Sequence, residues 1–219
     1  NLLNTFKIHE CYFYECGMDS SGGTGGGGNV IGILGTTDVS IKISNCTFID
    51  SSSAISSYCE SITILGNLFK GCNRNTIRIT HQSGYYRRGF ELIENKFIES
   101  KFGCIIHAWH EYQSQFILYP PVIKGNLFDN VTINEYRFDD ESDFIFIFKL
   151  KDMNTISFVN NTFRNFHTID GGFASKFVSE SSIQLNLKDC IFDSCSRPTN
   201  GGAFCSSTSQ NEGKIHLAF

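Results

Sequence analysis

A parallel β-helix, an all-β solenoid of about seven coils with little or no α-helix, is the fold this sequence predicts. Three observations carry that expectation. One phrase built on Phe recurs seven times. The residues ahead of each Phe alternate between apolar and polar. The stretches between copies vary in length while the phrase does not.

The phrase is a small polar residue or Cys, any residue, then Phe. It reads Cys11–Tyr12–Phe13, Cys46–Thr47–Phe48, Asn67–Leu68–Phe69, Asn95–Lys96–Phe97, Asn126–Leu127–Phe128, Asn161–Thr162–Phe163 and Cys190–Ile191–Phe192. Successive Phe residues lie 35, 21, 28, 31, 35 and 29 positions apart. Five positions before each Phe stand Ile8, Ile43, Ile64, Leu92, Ile123, Phe158 and Leu187. Seven before stand Phe6, Ile41, Ile62, Phe90, Pro121, Ile156 and Leu185. The position between them is polar except at Val122. Period-two alternation of this kind marks a half-buried strand.

A second strand follows each Phe, punctuated by small residues, as in Gly32–Ile33, Ala54–Ile55, Gly103–Cys104–Ile105, Gly172–Phe173–Ala174 and Gly202–Ala203–Phe204. The inserts are the glycine run 22–28 and the segments His81–Gly89, His107–Tyr119, Asn134–Asp143 and Ser196–Gly213. Coils stacked one strand spacing apart, about 4.8 Å, put Phe13, Phe48, Phe69, Phe97, Phe128, Phe163 and Phe192 in one interior row. Asn67, Asn95, Asn126 and Asn161 then form a ladder, each amide bonded to the next coil's. These Asn residues are expected in the turn itself, in left-handed backbone that Asn tolerates.

Composition agrees with a packed core and narrows the function classes. Hydrophobic residues make up 41% and charged residues only 18%, with 21 Phe, 20 Gly and 3 Pro. The net charge is −4, and no basic run exceeds Arg87–Arg88. Nucleic-acid binding needs a basic surface that displaces counterions, so none is expected. The longest apolar run, Phe144–Ile145–Phe146–Ile147–Phe148, is far below the ~20 residues of a membrane span. The chain reads as one β-helix domain over 1–219, a segment of something longer.

The 9 cysteines mostly fall on the repeat. Cys11, Cys46 and Cys190 take the ladder position, and Cys16, Cys72 and Cys195 stand three after a Phe. They are expected as free, core-filling thiols; if oxidised, Cys11–Cys16 and Cys190–Cys195 are the first pairs to consider. Sequons occur at Asn45, Asn130 and Asn160, about the number chance supplies, with Asn45 and Asn160 facing outward.

The unit Asp189–Cys190–Ile191–Phe192–Asp193–Ser194–Cys195, followed by Gly201–Gly202–Ala203–Phe204, resembles the polymorphic outer-membrane-protein (Pmp) repeat, and Asn45–Ser51 and Asn161–Ala174 are similar, looser copies. The resemblance covers about residues 5 to 215. It implies the β-helix of the pectin-lyase-like superfamily, with the right-handed coil that the crossover rule for parallel strands also favours. It also implies a surface or secreted passenger linked to adhesion.

Other β-helices act on acidic polysaccharides. Their carboxylate phrases are missing here: Asn4–Thr5 leads into Phe6, Asn154–Thr155 into Ile156, and there is no Gly–His–Gly. No enzyme activity and no cofactor is therefore expected. Asp139–Asp140–Glu141–Ser142–Asp143 is either a Ca²⁺-binding cluster or a solvated loop tip. The contact loop of choice contains His107, Trp109, His110 and Tyr112, an aromatic insert suited to stacking on sugar rings or to lying on the β-helix flank. Two His without a third ligand make no zinc site. The leading reading is a noncatalytic scaffold whose loops bind a protein or glycan at a cell surface, with further coils or partner subunits on its open ends. The alternatives are an intracellular structural repeat docked on a larger assembly or filament, and a polysaccharide lyase or hydrolase.

Overall fold

The structure, a computed structural model, describes residues 4–16, 30–34, 39–52, 54–58, 61–73, 77–79, 89–102, 106–108, 121–133, 146–150, 155–168, 173–179, 183–195, 204–208 and 215–218. Among these residues there is no helix, and the strands form four sheets.

The alternating residues upstream of each Phe build the first sheet. It stacks Asn4–His9, Val39–Ser44, Ser61–Leu65, Gly89–Ile93, Val122–Lys124, Thr155–Val159, Ile183–Lys188 and Ile215–Ala218. The Phe phrases form the second: Tyr12–Tyr14, Thr47–Ile49, Leu68–Lys70, Lys96–Ile98, Leu127–Asp129, Thr162–Arg164 and Ile191–Asp193. The punctuated strands form the third: Ile31–Leu34, Ile55–Tyr58, Ile77–Ile79, Ile106–Ala108, Phe146–Leu150, Phe173–Ser179 and Phe204–Thr208. A small fourth sheet joins Lys101–Phe102, Thr132–Ile133 and His167–Thr168.

The pairings within these sheets are parallel. The chain visits the first, second and third sheets in turn before it returns to the first. That path is solenoid-like and consistent with a parallel β-helix.

Register follows the repeat. Ile8, Ile43, Ile64, Leu92, Ile123, Phe158 and Leu187 are successive partners across the first sheet. From Ile43 to Leu187 this row is buried, as are Ile41, Ile62, Phe90, Ile156 and Leu185. Two positions depart from the pattern for visible reasons. Phe6 is in the inward phase yet 52% exposed, because its edge strand has a neighbour on one side only. Pro121 is buried but lies just outside its strand, where its missing N–H costs no ladder bond. Val122, out of phase in the sequence, is correspondingly exposed.

The corners correct one expectation. The left-handed residues are not the Asn or Cys two before each Phe. They are the residues three before it, Glu10, Asn45, Gly66, Glu94, Gly125, Asn160 and Asp189, and two after it, Glu15, Asp50, Gly71, Glu99, Asn130, Asn165 and Ser194. Two bends per coil turn the chain into and out of the short second-sheet strand. At every bend before Asp189 the N–H still finds a carbonyl in the next unit, as in Glu10 to Ser44 (3.1 Å), Asn45 to Leu65 (3.0 Å) and Glu94 to Lys124 (2.9 Å). This bonding offsets the cost of left-handed backbone at residues with a Cβ, of order 1–3 kcal/mol each. The residue just past each bend then points inward.

Candidate functional site

Of the contact loop named from sequence, His107 lies in the strand Ile106–Ala108, where it pairs with Arg78 and Ile147. It therefore belongs to the third sheet and not to an insert, and the insert begins after Ala108. Trp109, His110 and Tyr112 lie outside the described residues, as do Asn134–Asp143 and the rest of the 109–119 insert.

The interior rows are fully in view. Successive rings from Phe13 through Phe48, Phe69, Phe97, Phe128 and Phe163 to Phe192 stand 4.8, 4.8, 4.8, 4.9, 4.7 and 5.0 Å apart, stacked with nearly parallel planes. Those separations match the strand spacing, so the backbone ladder imposes the stack. The five inner rings are wholly buried, while Phe13 and Phe192 at the two ends are only partly so.

Asn67, Asn95, Asn126 and Asn161 form one continuous buried ladder. The backbone N–H and Nδ2 of Asn67 both donate to Asn95 Oδ1 (2.9 and 3.0 Å). Asn95 does the same to Asn126 (2.9 and 3.1 Å), and Asn126 to Asn161 (3.0 and 2.9 Å). Each Nδ2 also donates to a carbonyl of the preceding coil: Asn67 to Ile43, Asn95 to Ile64, Asn126 to Leu92 and Asn161 to Ile123, at 2.9–3.0 Å. The side chain thereby closes the backbone bonding that the bend interrupts.

Cysteine does the same work with one donor. The Cys190 thiol donates to Phe158 O (3.4 Å), the carbonyl an Asn would take there. Cys72 and Cys195 donate to Phe48 O (3.6 Å) and Phe163 O (3.4 Å) from the second bend. These cysteines are hydrogen-bond donors as well as core fillers. Sequence reading missed the serines of this second row. Ser100 Oγ accepts from the Cys72 N–H (3.1 Å) and donates to Ile98 O (2.8 Å), and Ser51 stands likewise below Cys16. The signal was available, since Ser51 and Ser100 stand three after a Phe just as Cys16, Cys72 and Cys195 do.

Cys11, Cys16, Cys46, Cys72, Cys190 and Cys195 are free thiols. Burial pushes the Cys72 thiol up to about 11 and raises those of Cys46, Cys190 and Cys195. Such thiols are poor nucleophiles at neutral pH. Outside the core, a hydrogen bond from Arg164 holds the Asp129 carboxyl below its ordinary range, which keeps it an ion-pair partner. The described residues contain no group of three or more His, Cys, Asp and Glu that could hold a metal, and no helix long and apolar enough to cross a membrane.

Cys46 lies directly above Asn67, whose Oδ1 accepts its N–H at 2.8 Å. Cys46→Asn extends the ladder by one rung and is expected to stabilise the chain by about 1 kcal/mol. The urea midpoint measures this, and a lower midpoint means the rung has no room for an amide. Compared with family models, curated proteins and solved structures, the chain matches none.

Proposed function

We propose that the chain is a noncatalytic, right-handed β-helix of about seven coils, of the Pmp-like, pectin-lyase-like type, and that it displays loops for adhesion to a protein or glycan at a cell surface or in a secreted passenger. One observation carries this reading. Phe-to-Phe separation along the sequence ranges from 21 to 35 residues, yet the stacked rings keep the same spacing throughout. Extra residues are thus absorbed between strands without disturbing the register. A scaffold of this kind tolerates loop variation on a fixed frame.

The loops that make the contacts are 109–119 and Asn134–Asp143, with Trp109 the anchor because buried aromatic side chains dominate interface energies. Partner subunits cover the edge strands, where Phe6 stands exposed, the outermost rings of the Phe row are half-covered, and unpaired backbone invites pairing. The 219-residue chain is accordingly expected to self-associate as concentration rises; sedimentation that stays monodisperse counts against covered ends.

Replacement of 109–119 by a short turn is the test of the binding loop. The swap leaves His107 in place, because deleting it removes a strand residue. Binding on a glycan array and to host-cell surfaces should fall at least tenfold while the circular dichroism spectrum and melting curve stay unchanged. Undiminished binding would overturn the loop assignment. Release of unsaturated uronides or reducing ends from acidic polysaccharides, lost when outward carboxylates are neutralised, would replace the scaffold by an enzyme.

A further inference from the structure

The register decides which cysteines can meet. Cys11 and Cys46 occupy the same position in successive units, just before the paired strands Tyr12–Tyr14 and Thr47–Ile49. The Thr47 N–H donates to Cys11 O at 2.8 Å. Both thiols take the same pose, each donating to the carbonyl two residues back, His9 O and Ser44 O, at 3.4 Å. Their Cα atoms are thus one strand spacing apart, about 4.8 Å, inside the 4.4–6.8 Å range of disulfides.

No other pair of described cysteines has this relation: Cys205 pairs with Ala174 across the third sheet. Cys190 lies against Asn161, Cys195 against Phe166, Cys16 against Ser51 and Cys72 against Ser100. Cys16 and Cys72 are two rungs apart, about 9.6 Å, beyond the 7 Å limit. The pairs suggested by sequence proximity fare no better. Cys11 and Cys16 are separated by the extended strand Tyr12–Tyr14, and Cys190 and Cys195 by Ile191–Asp193. At about 3.3 Å per residue, three residues of extended chain hold such a pair roughly 10 Å apart.

We propose that Cys11 and Cys46 form a disulfide between the first two coils when a small-molecule disulfide such as oxidised glutathione is present. Cys11, the more accessible thiol, attacks as thiolate and releases one glutathione thiol, leaving a mixed disulfide. Cys46 then attacks the Cys11 sulfur and releases the second. Two protein thiols are oxidised, one glutathione disulfide is reduced to two thiols, and both protons leave with the glutathione. Burial raises the Cys46 thiol and lowers its thiolate fraction, so it attacks second, where proximity to the Cys11 mixed disulfide makes the step intramolecular. The bond closes the chain between residues 11 and 46 and pins the edge unit, whose strands have neighbours on one side only.

The test uses the 219-residue chain treated with oxidised glutathione, blocked with an alkylating agent, denatured and digested with trypsin and a Glu-specific protease. Cleavage after Glu10, Glu15, Lys42 and Glu60 isolates Cys11 in peptide 11–15, Cys16 in 16–42, and Cys46 with Cys59 in 43–60. The expected product is 11–15 linked to 43–60, with fragmentation placing the bond on Cys46. The melting temperature should rise by several degrees on oxidation and fall back on reduction. That rise should persist in Cys16→Ser and vanish in Cys46→Ser. Linkage of Cys11 to Cys16 or Cys59, a stable glutathione adduct on Cys11, or no bond at all overturns the proposal. The wild-type peptide map decides it even if a variant fails to fold.

Discussion

Phe97→Ala and Phe128→Ala should each lower the unfolding free energy by about 3–5 kcal/mol. Both rings are fully buried. Each has a ring on either side, at 4.8 and 4.9 Å for Phe97 and at 4.9 and 4.7 Å for Phe128. The cavity left by Ala cannot collapse, because the coils above and below are held apart by backbone bonds such as Lys96 N to Asn67 O (2.8 Å) and Leu127 N to Asn95 O (2.9 Å). The loss therefore sits at the upper part of the range for core truncations. Phe192, at the end of the row and only partly buried, should cost distinctly less. Lys96→Ala, exposed beside Phe97, should cost almost nothing. Guanidinium titrations followed by circular dichroism provide the comparison. Equal losses at Phe97 and Lys96 would mean that the inward phase is misassigned.

Asn126→Ala should cost about 2–4 kcal/mol, because it strands buried partners rather than merely removing contacts. Without its side chain, the Asn95 N–H loses its acceptor and Leu92 O loses a donor. Asn126→Asp is the sharper probe. Its carboxylate still accepts from Asn95, but it cannot donate to Leu92 O, and it places a negative charge against that carbonyl and Asn161 Oδ1. Burial raises the pKa of such a group above its unfolded value of about 3.9. The variant's stability relative to wild type should then be greatest below that value and decline as pH rises through the raised folded pKa. A relative stability that does not change with pH would show that the site is wet. The same change at exposed Asn45 should show no such dependence.

Much of this architecture was legible in the sequence because the repeat writes its rows directly. Ile43, Ile64, Leu92, Ile123, Phe158 and Leu187 are apolar at a fixed distance before the Phe, and they pair in that order. A strand has a side-chain period of two, so the in-or-out choice is fixed by counting from one buried ring. The Asn ladder was legible for the same reason: a buried amide at a repeated position has its best partner in its own copy one coil away. The candidate binding loop was legible only as composition, an aromatic insert between constant phrases.

Other features were set only by the tertiary arrangement. Glu10, Asn45, Gly66, Glu94, Gly125, Asn160 and Asp189 share a left-handed backbone; five of them are Gly, Asn or Asp, the types that tolerate it, but Glu10 and Glu94 are not, so residue type alone does not place the bend. His107 reads as the start of an insert, yet it belongs to a strand because Arg78 and Ile147 lie on either side of it across the sheet. The pairing of Cys11 with Cys46 is hidden in the same way. Local sequence favours Cys16, five residues away, over Cys46, thirty-five away. A strand holds near neighbours in sequence far apart in space, whereas stacking brings residues a whole coil apart to within one strand spacing. Local periodicity therefore determined which side chains face inward, and only the closing of each coil onto the last decided which of them touch.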